Sequence, residues 1–105
     1  MTEQKQIKVE VDGAIVAEAV VTSPDEQARS RAEVHVEPGH LPTGTRQQVA
    51  AAVHESAVSD GAEHLSAALP RGDAELVTEM REHLDHAELR SAGASSIIEG
   101  DVKQP

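Results

Sequence analysis

The chain has 105 residues, lacks cysteine and aromatic side chains, and carries a formal net charge of −10. The absence of cysteine excludes disulfides, thiolate catalysis and cysteine-ligated zinc. Nine scattered Lys and Arg residues, with no aromatic side chain on which a base could stack, argue against nucleic-acid binding.

The hydropathy pattern contains neither a membrane span nor an export signal. No apolar run approaches the ~18 residues that a span requires, and residues 1–6 are polar, unlike the core of a signal peptide. We therefore expect a cytoplasmic protein that does not bind membranes. The length favours one domain over residues 1–105, with frayed ends at 1–5 and 103–105.

The core must be built from aliphatic side chains, and there are few of them. Val, Leu and Ile make up 22 of the 105 residues, and alanine adds little apolar area. Together with the high net charge, this composition is close to that of disordered chains. We therefore predict that the protein gains burial by self-association, as a homodimer, or by binding a protein partner.

The first third of the sequence predicts three antiparallel strands. Apolar and charged residues alternate over 7–11, and Asp12-Gly13 is a favoured two-residue hairpin turn. A second strand, apolar on both faces apart from one glutamate, is predicted over 14–22. A third is predicted over 28–37, with its small aliphatic residues on one face and its charged residues on the other.

A segment rich in Pro and Gly follows the third strand and leads into a helix. Prolines lack the backbone donor that a central strand needs, so this segment cannot continue the strand. Thr43 or Thr45 can cap the helix, which we expect to end near Asp60. A short fourth strand is then predicted, ending at Pro70.

The clearest periodic segment is residues 74–87, where the apolar residues occupy one stripe of a helix preceded by Asp73 as its N-cap. A last strand is predicted within 89–102, with Ile97 and Ile98 as its buried residues. The resulting order, β-β-β-α-β-α-β, predicts an α+β fold. Its antiparallel meander continues into a mixed sheet with two packed helices.

This element order resembles the C-terminal part of the GNAT-type N-acetyltransferase fold, without the helical segment that precedes the meander in that family. In the family, a central strand leads through an elbow into a helix. The elbow and the helix N-terminus hold the pyrophosphate of acetyl-CoA. Here residues 39–46, which we call the elbow, occupy that position. Of the family motif Gln/Arg-x-x-Gly-x-Gly/Ala, only Gly44 is kept in register.

The resemblance implies an anion or acetyl-CoA site formed by the backbone N–H groups of Gly44, Thr45 and Arg46, with Arg46 adding positive charge. The residues by themselves also fit an ordinary connection between a strand and a helix, capped by threonine. In that reading, Pro and Gly serve only the shape of the backbone. Both interpretations remain open on the sequence.

Glu79, His83 and His86 would share one flank of the second predicted helix and are candidates for holding a divalent metal. Their spacing differs from His-Glu-x-x-His, and a further ligand is not identifiable. Ion pairs at i,i+4, Glu79 with His83 and Glu82 with His86, explain the same residues as a solvated surface. We assign no metal here.

No spacing in the sequence indicates a catalytic arrangement, although Glu18 and Glu33 are candidates for facing carboxylates on neighbouring strands. We therefore expect a small acidic protein that is not an enzyme and takes no cofactor. It would act through self-association or a protein partner, with contacts at the second helix and around Ile97 and Ile98. The alternative is a GNAT-like acetyltransferase or CoA-binding remnant that uses the elbow and acetyl-CoA.

Overall fold

The computed structural model describes residues 3–38 and 41–104 of the chain. Within these ranges the chain forms strands and helices in the order β1 (Gln4–Val11), β2 (Ala14–Thr22), β3 (Arg29–Val36), α1 (Thr45–Ser59), β4 (His64–Pro70), α2 (Ala74–Arg81), β5 (Leu84–Ala92) and β6 (Ser95–Val102). The predicted α+β class, with its meander and two helices, is confirmed.

The strands of the described residues form one mixed sheet in the order β1-β2-β3-β4-β6-β5. β1, β2 and β3 are the predicted antiparallel meander. β3 and β4 are parallel, because α1 carries the chain back to the end of the sheet where β3 began. β4 then pairs with β6, and β5 forms the edge. The parallel pair is therefore central, and each helix begins where a parallel strand ends.

Both helices cover the same face of the sheet, and the side chains buried between them are aliphatic. Alternate residues of the strands point into this layer, as their pattern predicts. The largest fully buried apolar side chains are Leu65, Leu69, Leu76, Met80, Ile98, Val21, Val49 and Val53. Alanines on β2, β3, β4 and α1 fill the remaining space and allow the helices to approach the sheet closely. The opposite face of the sheet carries the charged residues.

The second helix is shorter than predicted and ends at Arg81 instead of near Ala87. Leu84, which we had placed in the helical stripe, begins β5 and is buried there. Apolar residues at every third or fourth position are compatible with one long helix and also with a short helix followed by a strand. The periodicity therefore could not distinguish these two structures. The final segment is accordingly a hairpin, β5 and β6, and not one strand.

The hairpin contains an irregularity that depends on Gly100. The register between β5 and β6 shifts between Asp85 and Glu88, where His86 has a φ of 56°. A Cβ added to Gly100 would lie 2.9 Å from the backbone oxygen of Asp85. Only glycine therefore lets the bulged strand approach β6 this closely.

Part of the surface that we predicted to mediate self-association is buried within the chain itself. Ile98 is fully buried, and β6 lies between β4 and β5 instead of at an edge. Leu76 and Met80 of the second helix are packed against the sheet. Leu76, Met80 and Ile98 are apolar, as predicted, and the chain's own packing buries them, while the homodimer stays a prediction.

The described residues near both termini take part in the fold. β1 begins at Gln4, and the ammonium of Lys5 lies 2.7 Å from Asp60 at the end of α1. Near the other terminus, the Lys103 N–H donates to the His83 carbonyl. Among the described residues there is no helix long and apolar enough to cross a membrane.

Candidate functional site: a gap between the parallel strands

The two central parallel strands separate before they end. Their pairing runs from Arg29 opposite His64 to Glu33 opposite Ala68 and then stops, although β3 continues to Val36. β4 ends at a proline, which has no backbone N–H to donate to its neighbour. β3 meanwhile stays paired with β2 up to its last residue. A gap therefore opens between β3 and β4 at their carboxyl ends, where open α/β sheets commonly bind ligands.

The N-terminus of α1 borders this gap and has no side-chain cap. Gly44 is the N-cap residue, with a φ of 87°, and a Cβ added there would meet nothing within 4 Å. No acidic residue lies in the first turn. The positive end of the helix dipole and its first N–H groups are thus left without a side-chain acceptor from the helix itself, which suits an anion.

Threonine does not cap α1 in the way the sequence suggested. Thr45 is the first helical residue and is buried, and its hydroxyl donates to the Pro42 carbonyl at 2.8 Å instead of accepting from the helix. Its backbone N–H donates to the same carbonyl at 3.2 Å. The threonine thus shapes the elbow. Two elbow residues, Gly39 and His40, lie outside the described residues.

Arg46 connects the two helix N-termini. Its Nε lies 2.9 Å from both carboxylate oxygens of Asp73, the N-cap of α2, and its Nη1 lies 3.4 Å from Glu75. Part of the charge that we assigned to an anion is therefore balanced within the protein. Gly44, Thr45 and Arg46 do lie together beside the gap, but their role as ligand residues stays a prediction.

A groove of about 700 Å³ lies on the helix-free face of the sheet and reaches the level where β3 and β4 separate. Its lining includes the short side chains Ser66 and Ala68 of β4. Longer charged side chains stand on the strands on either side, β3 on one side and β6 with β5 on the other. The groove exists because small residues lie between large ones.

Several charged groups in the groove are already paired. At one end of the groove, the imidazoles of His64 and His86 contact the carboxylate of Asp101. The distances from their Nδ1 atoms are 2.7 Å and 3.1 Å, in that order. The hydrogen bond from His86, followed by that from His64, holds the pKa of Asp101 below its ordinary value. Further along, Arg90 lies 3.3 Å from Glu99. The hydrogen bonds to Asp101 also tie β4, β5 and β6 together.

The three metal candidates are not brought together. Glu79 lies on α2, and His83, which follows the helix, stacks on His54 with ring centroids 4.6 Å apart. His86 lies on β5 and contacts Asp101. The shared flank required a helix that extended beyond Arg81, and the chain turns there instead. Within the described residues no group of three potential ligands could hold a metal ion.

The predicted pair of facing carboxylates is not formed either. Glu18 on β2 stands opposite His35 of β3, and Glu33 stands opposite Val20. The register between the strands, which the sequence did not fix, sets the two glutamates two positions apart. Glu33 instead faces the groove at the last paired position before the gap.

Several solved structures have a similar fold. The sequence matches no known protein family and no curated protein. Similar structures include an acetyltransferase of the GNAT family from Streptococcus pneumoniae, with a TM-score of 0.68 and 12% identity over 95% of this chain. A phosphinothricin acetyltransferase from Sinorhizobium meliloti, in complex with acetyl-CoA, has a TM-score of 0.61 and 10% identity over 90%. The PaiA N-acetyltransferase from Thermoplasma acidophilum, in complex with coenzyme A, has a TM-score of 0.66 and 7% identity over 93% of this chain.

The resemblance to the GNAT fold is therefore confirmed. This chain spans 67%, 58% and 60% of the lengths of those three proteins, in the order given. Sequence identities this low establish the fold alone.

Two predictions are corrected by the comparison. The solved structures that share this fold are acetyltransferases, which contradicts our leading prediction of a non-catalytic protein and favours the acetyltransferase alternative. The prediction that no cofactor is used is also contradicted, because related structures hold acetyl-CoA or coenzyme A. The prediction was wrong because only Gly44 of the family motif is kept in register, and the gap between β3 and β4 is visible only in the strand pairing.

Proposed function

We propose that this chain binds an acyl-CoA at the gap between β3 and β4 and transfers the acyl group to an amine. The observation that carries the proposal is the end of parallel pairing at Glu33 and Ala68, directly beside an α-helix whose N-terminus has no side-chain cap. An uncapped N-terminus binds anions, and an unpaired strand edge offers backbone donors and acceptors. Both features lie at the same end of the sheet.

The residues present fit a coenzyme A ligand. The first turn of α1 and Gly44 would hold the pyrophosphate, since the space beside Gly44 is open. The strand edges beyond Glu33 and Ala68 would hold the amide-containing arm through backbone hydrogen bonds. When bound, the coenzyme supplies an activated thioester.

The amine must lose its proton to react, and we assign the acceptance of that proton to Glu33. Its carboxylate faces the groove at the last position where β3 pairs with β4, which is the level at which the gap begins. Glu33 has no salt bridge to a described residue. It is thus available to an amine that enters along the groove, directly or through one water molecule.

Acetyl-CoA binding tests the proposal with a matched pair of variants, Gly44→Asp and Gly44→Asn. Both side chains tolerate a positive φ and fit the open space, and they differ chiefly in charge. Equilibrium dialysis read at 260 nm is well suited, because the protein has no aromatic absorbance. We expect Gly44→Asp to weaken binding well beyond Gly44→Asn. Equal acetyl-CoA affinities of the two variants would show that the pyrophosphate does not bind at the N-terminus of α1. If the parent chain does not bind acetyl-CoA, the proposal is refuted.

A cytoplasmic location and a homo-oligomer remain separate proposals. If copies associate, the exposed edges β1 and β5 are the available surfaces, and Leu89 on β5 is 47% exposed. Sedimentation velocity at micromolar concentration, with Leu89→Lys as the variant, tests this. A parent chain that sediments as a monomer at these concentrations would exclude the oligomer.

A further inference from the structure

We propose that the acceptor amine is a zwitterion, an α-amino acid whose carboxylate is held by Arg31 and whose ammonium group points to Glu33 and the gap. The inference rests on the proposed function and adds the chemical class of its second substrate. It is carried by the arrangement of charges in the groove on the helix-free face. It does not depend on how the coenzyme is held.

Arg31 and Glu33 stand on the same face of β3, two residues apart, and both line the groove. Alternate residues of a strand are separated by ~6.6 Å along its axis. The two opposite charges are thus aligned along the groove, with the anion nearer the gap. A molecule that carries an amine and a carboxylate on the same carbon atom would bind in one orientation, with its amine towards the gap.

Arg31 has no ion pair with any described residue, although acceptors are nearby. Across Ser66 at the same level stands Glu99, whose carboxylate is paired with Arg90 at 3.3 Å. Asp25, at the rim of the groove, accepts backbone hydrogen bonds from Gln27 and Arg29. The guanidinium of Arg31 therefore retains its capacity to bind a carboxylate through two hydrogen bonds.

Other ligand charges fit this groove less well. A polyamine would meet Arg29 and Arg31 along the β3 wall, and both are cations. A dianion would meet Glu33, Glu88 and Glu99. Between the walls, the floor at the level of Glu33 is formed by Ala68 and the half-buried Ile97, which suits an aliphatic side chain. A zwitterion is the ligand that satisfies both signs.

The test is a chemical-shift titration of the ¹⁵N-labelled full chain with each of the twenty standard L-amino acids, one at a time. The same titration is then made with spermidine, a polyamine, and with the amide of the amino acid that binds most tightly. This amide lacks the carboxylate. We expect an amino acid to shift the β3 and β4 resonances and its amide to bind about 10- to 100-fold more weakly. Tighter binding of spermidine or of the amide, or no binding by any amino acid, would overturn the inference.

Three variants assign the roles of the side chains. Arg31→Gln should lower amino-acid affinity about 10- to 100-fold without changing the affinity for the amide, and Arg31→Lys should restore part of the loss. Arg81→Gln, on the exposed surface of α2, is the matched control and should bind as the parent does. An Arg31→Gln variant that binds amino acids normally would refute the assignment.

The two proposals can fail separately. Acetyl-CoA binding with no amino-acid binding refutes the acceptor class alone. Amino-acid binding with no acetyl-CoA binding refutes the acyltransferase and leaves an amino-acid site. Arg31→Gln should also leave acetyl-CoA affinity unchanged, because Arg31 lies on the groove face and not at the N-terminus of α1.

Discussion

Both helices begin at the same end of the sheet, but their first turns differ in almost every respect. The first turn of α2 is capped by its own side chains. Asp73 accepts a hydrogen bond from the Leu76 N–H at 3.1 Å, and Glu75 adds a negative charge near the positive end of the helix dipole. The turn that opens α1 has Gly44 in place of a cap, and neither a side-chain acceptor nor an acidic residue. Arg46, bound to Asp73, connects them.

The difference agrees with our proposal that the N-terminus of α1 binds a ligand, whereas the first turn of α2 is stabilised by its own side chains. α2 has eight residues, too few to be stable alone, so its cap and its buried side chains matter. α1 has fifteen residues and can leave its first N–H groups to an external anion. The same end of the sheet thus carries one neutralised and one open helix N-terminus.

The largest effect should come from removing the apolar contact beneath the cap of α2. Leu76→Ala removes a fully buried side chain and should lower the free energy of unfolding by about 2–5 kcal/mol. Val49→Ala, the equivalent change near the start of α1, removes two carbon atoms instead of three and should cost about 2 kcal/mol. Urea unfolding followed by far-ultraviolet circular dichroism measures both. Equal losses would contradict the idea that the short helix depends more on its first turn.

Next in size is the cap itself. Asp73→Ala removes both the hydrogen bond to Leu76 and the ion pair to Arg46, and should cost about 1–3 kcal/mol. Asp73→Asn keeps a capping oxygen and should cost less. It should also raise acetyl-CoA affinity, because Arg46 is released.

Glu75→Gln is the control for these variants. Its side chain is 70% exposed, so the loss of its contact with Arg46 should change stability by less than about 0.5 kcal/mol. An Asp73→Asn variant that binds acetyl-CoA more weakly than the parent would show that the link between the helices orders the site instead of competing with it.

A smaller effect should follow from giving β4 the donor it lacks. Pro70→Val restores a backbone N–H where the ladder with β3 has stopped, and one added hydrogen bond is worth about 1 kcal/mol. If the strands pair further, the gap narrows and acetyl-CoA affinity should fall about 5-fold. The amide-exchange rates of β3 beyond Glu33 measure the pairing. Arg71→Val, one residue later, is the control. If amide exchange in β3 slows in Pro70→Val while acetyl-CoA affinity is unchanged, acetyl-CoA does not bind in the gap.

The smallest effect is a pH dependence at the other end of the helices. Burial, and secondly the neighbouring His54, lower the pKa of His83 below its ordinary 6.5, against weaker opposing effects of Glu82 and Glu79. Lys103, whose carbonyl contacts His54, lowers it further. The unfolded chain then binds a proton that the folded one does not, so stability is full above pH 6.5 and falls as the pH drops towards the folded value.

Unfolding free energies at pH 7.5 and 5.5 test this for the parent and for His83→Gln. The parent should lose stability on acidification, and the variant should lose less. His35→Gln, an exposed histidine on the helix-free face, is the control. Acetyl-CoA affinity of the variant should equal that of the parent, because the stacked histidines lie away from the first turn of α1. An identical pH dependence in parent and His83→Gln would contradict the assignment.

Short-range patterns determined much of this fold. Alternation over the first three strands, the Asp12-Gly13 turn and the two prolines after β3 are local features, so their interpretation was right. The end of α2 was misjudged because Leu84 satisfies both a helical and a strand pattern. The choice between them is made by β6, which pairs with the strand that starts there.

The sequence by itself therefore determined an aliphatic α+β sheet with two helices, since hydrophobic period and turn chemistry are properties of neighbouring residues. Tertiary structure alone decided that β3 and β4 separate after five pairs and that Arg46 binds Asp73. It also decided that Arg31 and Glu33 face one groove floored by the small residues of β4. Those features depend on register and on contacts between residues far apart in the chain, and no local pattern specifies them.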